Sequence, residues 1–148
     1  YRALAKAGRF DAVLRLVRER YGDMLARGAT TLWESFAPTA SLCHGFSATP
    51  VYQLSTEVLG IAPLEPGCAV FRFAPQPADL SFARGVFPTL AGDIRVDWTR
   101  RRGAIEIALD VPSGTRARLA DPPGFSFTTD ERERGPGKHT LELRAARA

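Results

Sequence analysis

Apolar residues recur every three or four positions near the start of the chain. From residue 10 onward they form one stripe, made of Phe10, Val13, Leu14, Val17, Tyr21, Met24 and Leu25. This spacing predicts an amphipathic helix, and Gly28 supplies a natural C-terminal stop. A second helix is predicted from Thr49, as the capping residue, through Pro50 in the first turn to Gly60.

The period changes to two in the second half of the chain. Four alternating runs stand out, built on Ile94, Val96 and Trp98; on Ile105, Ile107 and Leu109; on Phe125 and Phe127; and on Leu141 and Leu143. Glycine- and proline-containing turns separate these runs. Seven or so short strands, each with one apolar face, predict an antiparallel β-sandwich.

The two patterns meet at the stretch IAPLEPG, residues 61 to 67, where two prolines and a glycine interrupt the helical period. We therefore predict an α+β chain with helices in residues 1–65 and a sandwich in residues 66–148. The two helices and the tail of a third cannot close a core by themselves. The chain also opens YRALAKAG, without an initiating Met and already helical, which predicts a piece cut from a larger protein.

Composition removes several classes of function. The 148 residues carry a formal charge of +4, mostly from arginines spread along the chain, which does not make a nucleic-acid footprint. The densest group, Arg100 to Arg102, precedes Gly103 and is predicted to be a solvated hairpin tip. No apolar run approaches the ~18 residues of a membrane span.

Cys43 and Cys68 are expected to be free, buried thiols rather than a disulfide.

A segment of about twenty residues, 28 to 48, separates the two helices without clear periodicity. Loops of this length inside a compact domain are usually functional or disordered. Leu32, Trp33 and Phe36 lie in this one, which carries too much apolar surface to stay in water. We expect an ordered loop that forms the wall of a site, with Glu34 and His44 among its side chains.

Each of these side chains also has a purely structural interpretation. Glu34 could be a surface charge or a partner for a helix-end amide, Trp33 a core residue, and His44 a buried imidazole bonded to a carbonyl. Cys43 and His44 are not expected to form a nucleophile pair, because neighbouring side chains on an extended loop point apart. No metal site or cofactor is expected, since the other histidine, His139, falls in the other half and no CxxC occurs.

Trp, Glu and His on one loop are typical of a carbohydrate site. An aromatic face stacks on a sugar ring, while charged and imidazole groups bond its hydroxyls. Glycoside hydrolysis adds a pair of carboxylates, one acting as acid and the other as base or nucleophile. Glu34 is a candidate for one member of such a pair. The second member does not identify itself in this chain.

Several separated motifs resemble the C-terminal end of the bacterial α-L-rhamnosidases of glycoside hydrolase family 78. They are MLARGATTLWESF, SLCHGFSATPVYQLSTEVLGIAPLEPG and DLSFARGVFPTLAGDIRVDW, in this order, and the resemblance covers about residues 10 to 98. It implies the last helices of an (α/α)6 catalytic barrel followed by a C-terminal β-sandwich. It also implies an inverting hydrolase that removes terminal α-L-rhamnose from glycosides.

The resemblance assigns roles to residues of the loop. Glu34 corresponds to the general base, His44 is expected to contact sugar hydroxyls, and Trp33 to shape the pocket beside the base. The general acid belongs to upstream segments, so this chain alone is expected to be inactive. Phe46 departs from the common pattern, which has Trp there. The expected partners are rhamnose-containing glycosides, with no nucleic acid and no membrane, and self-association through exposed helix faces.

Two other functions remain open on the sequence. One is a non-catalytic sugar-binding or scaffold module, in which sandwich aromatics such as Phe71, Phe73, Phe82 and Phe87 form a platform. The other is a fragment of a different (α/α)6 glycosidase with a related loop and a different sugar.

Overall fold

The computed structural model describes residues 1–37 and 39–146, which form two compact units, Tyr1–Leu54 and Ser55–Ala148. The sequence-based boundary between residues 65 and 66 stays a prediction. Among the described residues, no helix combines the length and the apolarity needed to cross a membrane.

The first unit is helical. It contains α1 (Arg2–Lys6), α2 (Phe10–Ala26), a short 3₁₀ turn (Gly45–Ser47) and α3 (Thr49–Gln53). Helix α2 confirms the predicted stripe through its buried residues Phe10, Val13, Leu14 and Met24. Leu25 was wrongly included, because it is 71% exposed. One position after buried Met24, it is rotated by about 100° to the solvent side of the helix.

The second predicted helix begins where the sequence indicates but is less regular. Ala48 precedes it in the capping position and no side-chain cap bond forms, so the prediction of Thr49 as the cap is wrong. Pro50 lies in the first turn as expected. A π-helical turn, Leu54–Val58, follows α3. The chain then passes through Gly60 at φ +81°, a conformation that ends a helix readily.

In its described residues, 55–146, the second unit contains nine strands. They are β1 (Ile61–Pro63), β2 (Val70–Phe73), β3 (Phe82–Thr89), β4 (Gly92–Arg101), β5 (Ala104–Val111), β6 (Arg116–Leu119), β7 (Phe125–Phe127), β8 (Glu133–Arg134) and β9 (Gly137–Ala145), with a 3₁₀ turn at Pro66–Cys68. They form a four-stranded sheet in the order β1-β2-β6-β8 and a five-stranded sheet in the order β3-β4-β5-β9-β7. The α+β class and the four alternating strands are thereby confirmed.

One sheet departs from the antiparallel prediction. Strands β2 and β6 pair in parallel, with Phe71 opposite Ala117 and Phe73 opposite Leu119. The chain between them supplies β3, β4 and β5 of the other sheet, so it returns to the first sheet by a crossover rather than a hairpin. A crossover of this kind is what parallel neighbours require.

The Arg100–Arg102 group has two different environments. Arg102 and Gly103 form the turn between β4 and β5 with positive φ angles of +43° and +89°, as expected of a hairpin tip. Arg100 is not merely solvated. Its guanidinium donates to the backbone carbonyls of Ala78 at 2.6 Å and Leu80 at 3.2 Å, which fastens the segment before β3 to β4.

The core of the second unit lies between the inner faces of its two sheets. Its largest fully buried side chains include Trp98, Phe71 and Phe73 together with the inward residues of β4 and β5. Phe73 of the smaller sheet packs 6.2 Å from Phe127 of the larger one, measured between ring centroids. The outward positions of β4, β5 and β9 carry charged and small residues, and these form the solvent face of the five-stranded sheet.

Candidate functional site

The loop between α2 and α3 is held by backbone pairing between its two ends. The amide of Glu34 donates to the carbonyl of Ser41 at 2.9 Å, and the amide of His44 donates to the carbonyl of Leu32 at 2.7 Å. On the first of the two paired segments, one residue, Trp33, lies between the bonded residues, whereas on the second segment two residues lie between them. One extra residue on one of two paired segments is the arrangement of a β-bulge, which bends the paired segments and redirects side chains.

Three side-chain bonds reinforce this pairing. The Thr31 hydroxyl donates to the carbonyl of Leu42, and the Ser47 hydroxyl donates to the carbonyl of Glu34 at 3.3 Å. The amide of Ser41 donates to Oε2 of Glu34 at 3.3 Å. Glu34 is therefore bonded through its amide, its carbonyl and its carboxylate, all to residues of the second half of the loop.

Helix α2 reaches the same loop through Tyr21. Its hydroxyl donates to the carbonyl of Ser47 at 3.1 Å, and its ring meets the ring of Phe36 edge-on at 5.3 Å. Burial, and then the proximity of Tyr1, raises the pKa of Tyr21 and keeps the hydroxyl protonated as a donor. Sequence reasoning placed Tyr21 on the apolar stripe and missed this role. The signal was its hydroxyl, since a Tyr on a buried face needs a partner.

Trp33 forms the inner wall of the loop. It is only 6% exposed, and the guanidinium of Arg27, at the end of α2, lies 4.5 Å from its ring centroid. A cation over an aromatic face is a favourable arrangement, and it covers one face of the indole. Trp33 in this position can shape the surface beside Glu34, but it is not an open platform for stacking.

Glu34 points the other way, into solvent. Its carboxylate accepts one bond, from the Ser41 amide, and forms no ion pair within the described residues. A carboxylate with two oxygens has several acceptor sites, so most of its capacity remains open to water or a ligand. The sequence-based alternative of a helix-cap role does not apply, because Ser41 lies in the loop and in neither helix.

His44 is half-buried beside Phe46, with ring centroids 4.9 Å apart at 61°. Its Nδ1 is buried and has no hydrogen-bond partner among the described residues. The imidazole therefore does not follow the structural interpretation of a ring bonded to a carbonyl through that atom.

Glu34 lies on the first of the two paired segments and His44 lies on the second. Trp33 lies between the two backbone hydrogen bonds that join these segments. An exposed apolar rim follows, with Leu42 58% and Phe46 70% exposed.

The two cysteines are free as predicted, but only Cys68 is buried, whereas Cys43 is exposed on the loop. Burial raises the pKa of Cys68 and keeps it in the unreactive thiol form. Within residues 1–37 and 39–146, no three His, Cys, Asp or Glu side chains gather as a metal site would need.

Comparison with known proteins identifies the relatives of this chain. The family model for the bacterial alpha-L-rhamnosidase C-terminal domain matches residues 60–135. An alpha-L-rhamnosidase from Alteromonas sp. (strain LOR) is 31% identical over 140 residues, covering 83% of this chain and 15% of the relative.

Two solved structures are similar to the chain in both sequence and fold. The family 78 rhamnosidase of Bacillus sp. GL1 is 35% identical with a TM-score of 0.75, covering 83% of this chain and 14% of that one. The alpha-L-rhamnosidase of Streptomyces avermitilis, solved in complex with L-rhamnose, is 25% identical with a TM-score of 0.72, covering 96% of this chain and 16% of that one. The chain thus spans about a seventh of the length of these relatives. It belongs to the bacterial α-L-rhamnosidase C-terminal domain family.

Proposed function

We propose that this chain supplies the general base, Glu34, to an inverting glycoside hydrolase that releases terminal α-L-rhamnose from glycosides. The observation that carries the proposal is the environment of Glu34. An exposed carboxylate with open acceptor sites is fixed through its amide, carbonyl and Oε2 to the second half of an ordered loop. Membership in the rhamnosidase family supplies the substrate class.

The chemistry assigned to Glu34 is the removal of a proton from water. The oxygen of that water forms a bond to the anomeric carbon on the face opposite the leaving group, and the glycosidic bond breaks. A general acid outside this chain protonates the departing oxygen. In inverting enzymes the two carboxyl groups stand roughly 6.5–9.5 Å apart, which leaves room for the water.

Trp33 and His44 take supporting roles in this proposal. Trp33 and the Arg27 guanidinium packed on it hold the wall behind the base, and His44 offers an imidazole nitrogen to sugar hydroxyls. We further propose that residues 1–65 are the last helices of an (α/α)6 barrel and residues 66–148 its C-terminal sandwich domain. The exposed apolar rim of Leu42 and Phe46 would then be covered by barrel helices, or by self-association in the chain alone.

The experiment compares the chain with the longer enzyme from which we propose it is drawn. The isolated chain should not hydrolyse an aryl α-L-rhamnoside. In the longer enzyme, Glu34→Gln should lower kcat by several orders of magnitude and leave the thermal melting temperature unchanged. Glu19→Gln, at an exposed carboxylate of α2, is the matched control and should keep full activity. Full activity of Glu34→Gln would remove this residue from the base role.

A chemical rescue separates a base from a residue that merely binds. In a Glu34→Ala variant, azide can replace the activated water because it needs no deprotonation. Product of inverted configuration should then form with azide but not with chloride. A variant that stays inactive in azide, or a rhamnosyl azide with retained configuration, would contradict the inverting base assignment.

The alternative of a sandwich with an aromatic platform receives little support. Phe71 and Phe73 are fully buried, so neither presents a face to a sugar. Phe82 is exposed on the edge strand β3, but one exposed ring does not make an aromatic platform. The rhamnosidase relatives favour an α-L-rhamnosidase over another (α/α)6 glycosidase. Substrate profiling of the longer enzyme on an aryl α-L-rhamnoside and on other aryl glycosides decides between them.

A further inference from the structure

The outer face of the five-stranded sheet carries a pocket of about 470 Å³, far along the chain from Glu34. Its lining comes from the four adjacent strands β3, β4, β5 and β9. Neighbouring strands lie about 4.8 Å apart, so four of them span roughly 14 Å. The pocket is therefore built on paired strands of the second unit rather than on loops.

Two rows of cross-strand neighbours supply the outward side chains. The first row, in sheet order, is Arg84, Asp97, Ala108 and Thr140. The second row is Val86, Arg95, Asp110 and Lys138. Each row thus contains one short apolar side chain beside longer charged or polar ones, Ala108 inside the first row and Val86 at the edge of the second.

The charges in the pocket and immediately beside it balance one another. Arg84 pairs with Asp97 at 2.6 Å, and Arg95 pairs with Asp93, next to the pocket, at 2.7 Å. Asp110 and Lys138 stand opposite each other in the β5–β9 register. The three cations of the lining are therefore matched by its two carboxylates together with Asp93 beside it. A polyanion such as a nucleic acid gains little from a neutral surface, since its binding depends on uncompensated positive charge.

The pairs leave many hydrogen-bonding positions unused. Each carboxylate has further lone pairs and each guanidinium has five N–H donors, so the lining contains both acceptors and donors beyond those used in the ion pairs. The Thr140 hydroxyl adds a group that can do either. A neutral molecule with several hydroxyl groups can exchange its hydrogen bonds with water for these without separating any ion pair.

The apolar floor of the pocket can contact the C–H groups of the ligand. Ala108 lies between Asp97 and Thr140, and its methyl group leaves a depression among longer side chains. Its methyl group presents an apolar surface beneath polar walls, the general make-up of a small-molecule site. We propose that this pocket binds a neutral sugar unit of a glycan, with C–H groups on Ala108 and hydroxyls on Asp97, Asp110 and the arginines.

This second site uses none of Glu34, Trp33 or His44. Only the choice of L-rhamnose as the first sugar to test rests on the proposed function. The site would hold a sugar of the substrate glycan other than the one being released, or a glycan to which the protein anchors.

The test is a titration of the full chain with L-rhamnose, followed by backbone amide chemical shifts. Shifts should saturate at Asp97, Ala108 and Asp110, with a dissociation constant on the order of 1 mM. Ala108→Ile fills the depression and Asp110→Asn removes an anionic acceptor, and each should weaken binding at least fivefold. Glu106→Gln, on the outward face of β5 beside the pocket, is the matched control and should bind as the unsubstituted chain does.

Each outcome decides the matter. Sodium glucuronate is titrated in parallel, and tighter binding of this acid than of L-rhamnose would overturn the assignment of a neutral ligand. Shifts confined to residues 31–47 would support the loop as a sugar site and overturn the pocket proposal. Unchanged binding by Ala108→Ile, with its fold verified by circular dichroism, would overturn it as well, and so would the absence of any saturable shift at the pocket residues. None of these results depends on whether Glu34 is a general base.

Discussion

Glu34 and Ser41 are joined by two hydrogen bonds that run in opposite directions. The amide of Glu34 donates to the Ser41 carbonyl at 2.9 Å, and the amide of Ser41 donates to the Glu34 carboxylate at 3.3 Å. The second bond ties the side chain assigned to chemistry to the backbone that shapes the loop. Removing the charge and removing the acceptor should therefore have different consequences.

The first prediction concerns that difference. Glu34→Gln keeps an oxygen that can accept from the Ser41 amide, and the side chain is exposed, so the free energy of unfolding should change by less than about 0.5 kcal/mol. Glu34→Ala deletes the acceptor and should cost about 1 kcal/mol. Urea unfolding of the isolated chain measures both. Equal losses for the two variants would show that the carboxylate-to-amide bond does not hold the loop.

The second prediction concerns the wall behind Glu34. Trp33 is 6% exposed, so Trp33→Ala should lower the free energy of unfolding by about 3 kcal/mol through the cavity it leaves. Phe46→Ala is the matched control, because this ring is 70% exposed and its loss should cost far less. Hydrogen exchange should also accelerate at the amides of Glu34 and His44 in Trp33→Ala. Comparable losses for the two variants would argue against Trp33 as the inner support of the loop.

The helix α2 and strands β4 and β5 could be predicted from sequence because their signals are local. Phe10, Val13, Leu14 and Met24 repeat with the helical period, while Ile94, Val96 and Trp98 alternate. Burial on one face is written directly into such spacing. The stop at Gly60 was likewise visible as a glycine after an apolar run.

Strand β3 lacks such a signal. Its sequence FARGVFPT contains Gly85 and Pro88, which read as strand breakers. Both are tolerated for reasons that only the fold supplies. Strand β3 is an edge strand, where Pro is allowed, and a Cβ on Gly85 would come within 2.4 Å of a Leu59 methyl carbon. Because Gly85 has no side chain, it leaves the space into which Leu59 packs.

The candidate site, like the fold, could be predicted from sequence only in part. Residue type and loop length indicated Glu34, Trp33 and His44. The pairing of residues 32–34 with residues 41–44 could not be predicted, because it has no periodicity and depends on backbone bonds between residues seven and twelve positions apart. The outer pocket was also invisible, since its rows arise from the register of four strands, and a shift of one residue would send every side chain to the other face.

The third prediction concerns Trp98, whose indole N–H donates to the carbonyl of Val58 at 2.9 Å in the core. Trp98→Phe keeps an aromatic ring but leaves that buried carbonyl without its partner and opens a small cavity. It should lower the free energy of unfolding by about 2–3 kcal/mol. Ile107→Val, which removes one methylene from the same core, should cost about 1 kcal/mol. Thermal unfolding of both variants provides the comparison, and equal effects would deny the hydrogen bond a separate contribution.

The fourth prediction compares two glycines with nearly the same backbone angle. Gly60 and Gly124 have φ values of +81° and +78°, so Ala at either position should cost about 1 kcal/mol in backbone strain. At Gly60 the new Cβ would also lie 2.3 Å from the backbone nitrogen of Pro75, whereas at Gly124 nothing lies within 4 Å. Gly60→Ala should therefore be clearly more destabilising in urea unfolding. Similar values for the two would mean that the close approach to Pro75 relaxes without cost.

The last prediction is a pH dependence centred on Asp121. Partial burial opposes ionisation of this carboxyl, but the Arg132 guanidinium at 2.7 Å and the Phe127 amide at 2.9 Å outweigh it and lower its pKa. Because the folded-state pKa lies below the ordinary value of 3.8, ionised Asp121 stabilises the fold at pH values above that figure. This contribution is lost as the pH falls through the folded-state pKa.

Asp121→Asn should therefore lower the free energy of unfolding at pH 7 and have almost no effect at low pH. The Asp121 and Arg132 side chains are 38% and 41% exposed, so solvent screening limits the difference at neutral pH to about 0.5–1 kcal/mol. Urea unfolding at intervals from pH 7 down to the acid transition should show the two stability curves converging. Asp130→Asn, at an exposed carboxylate nine residues away, serves as the control and should run parallel to the unsubstituted chain throughout. A gap that stays constant with pH would mean that Asp121 acts through its shape and hydrogen bonds rather than through its charge.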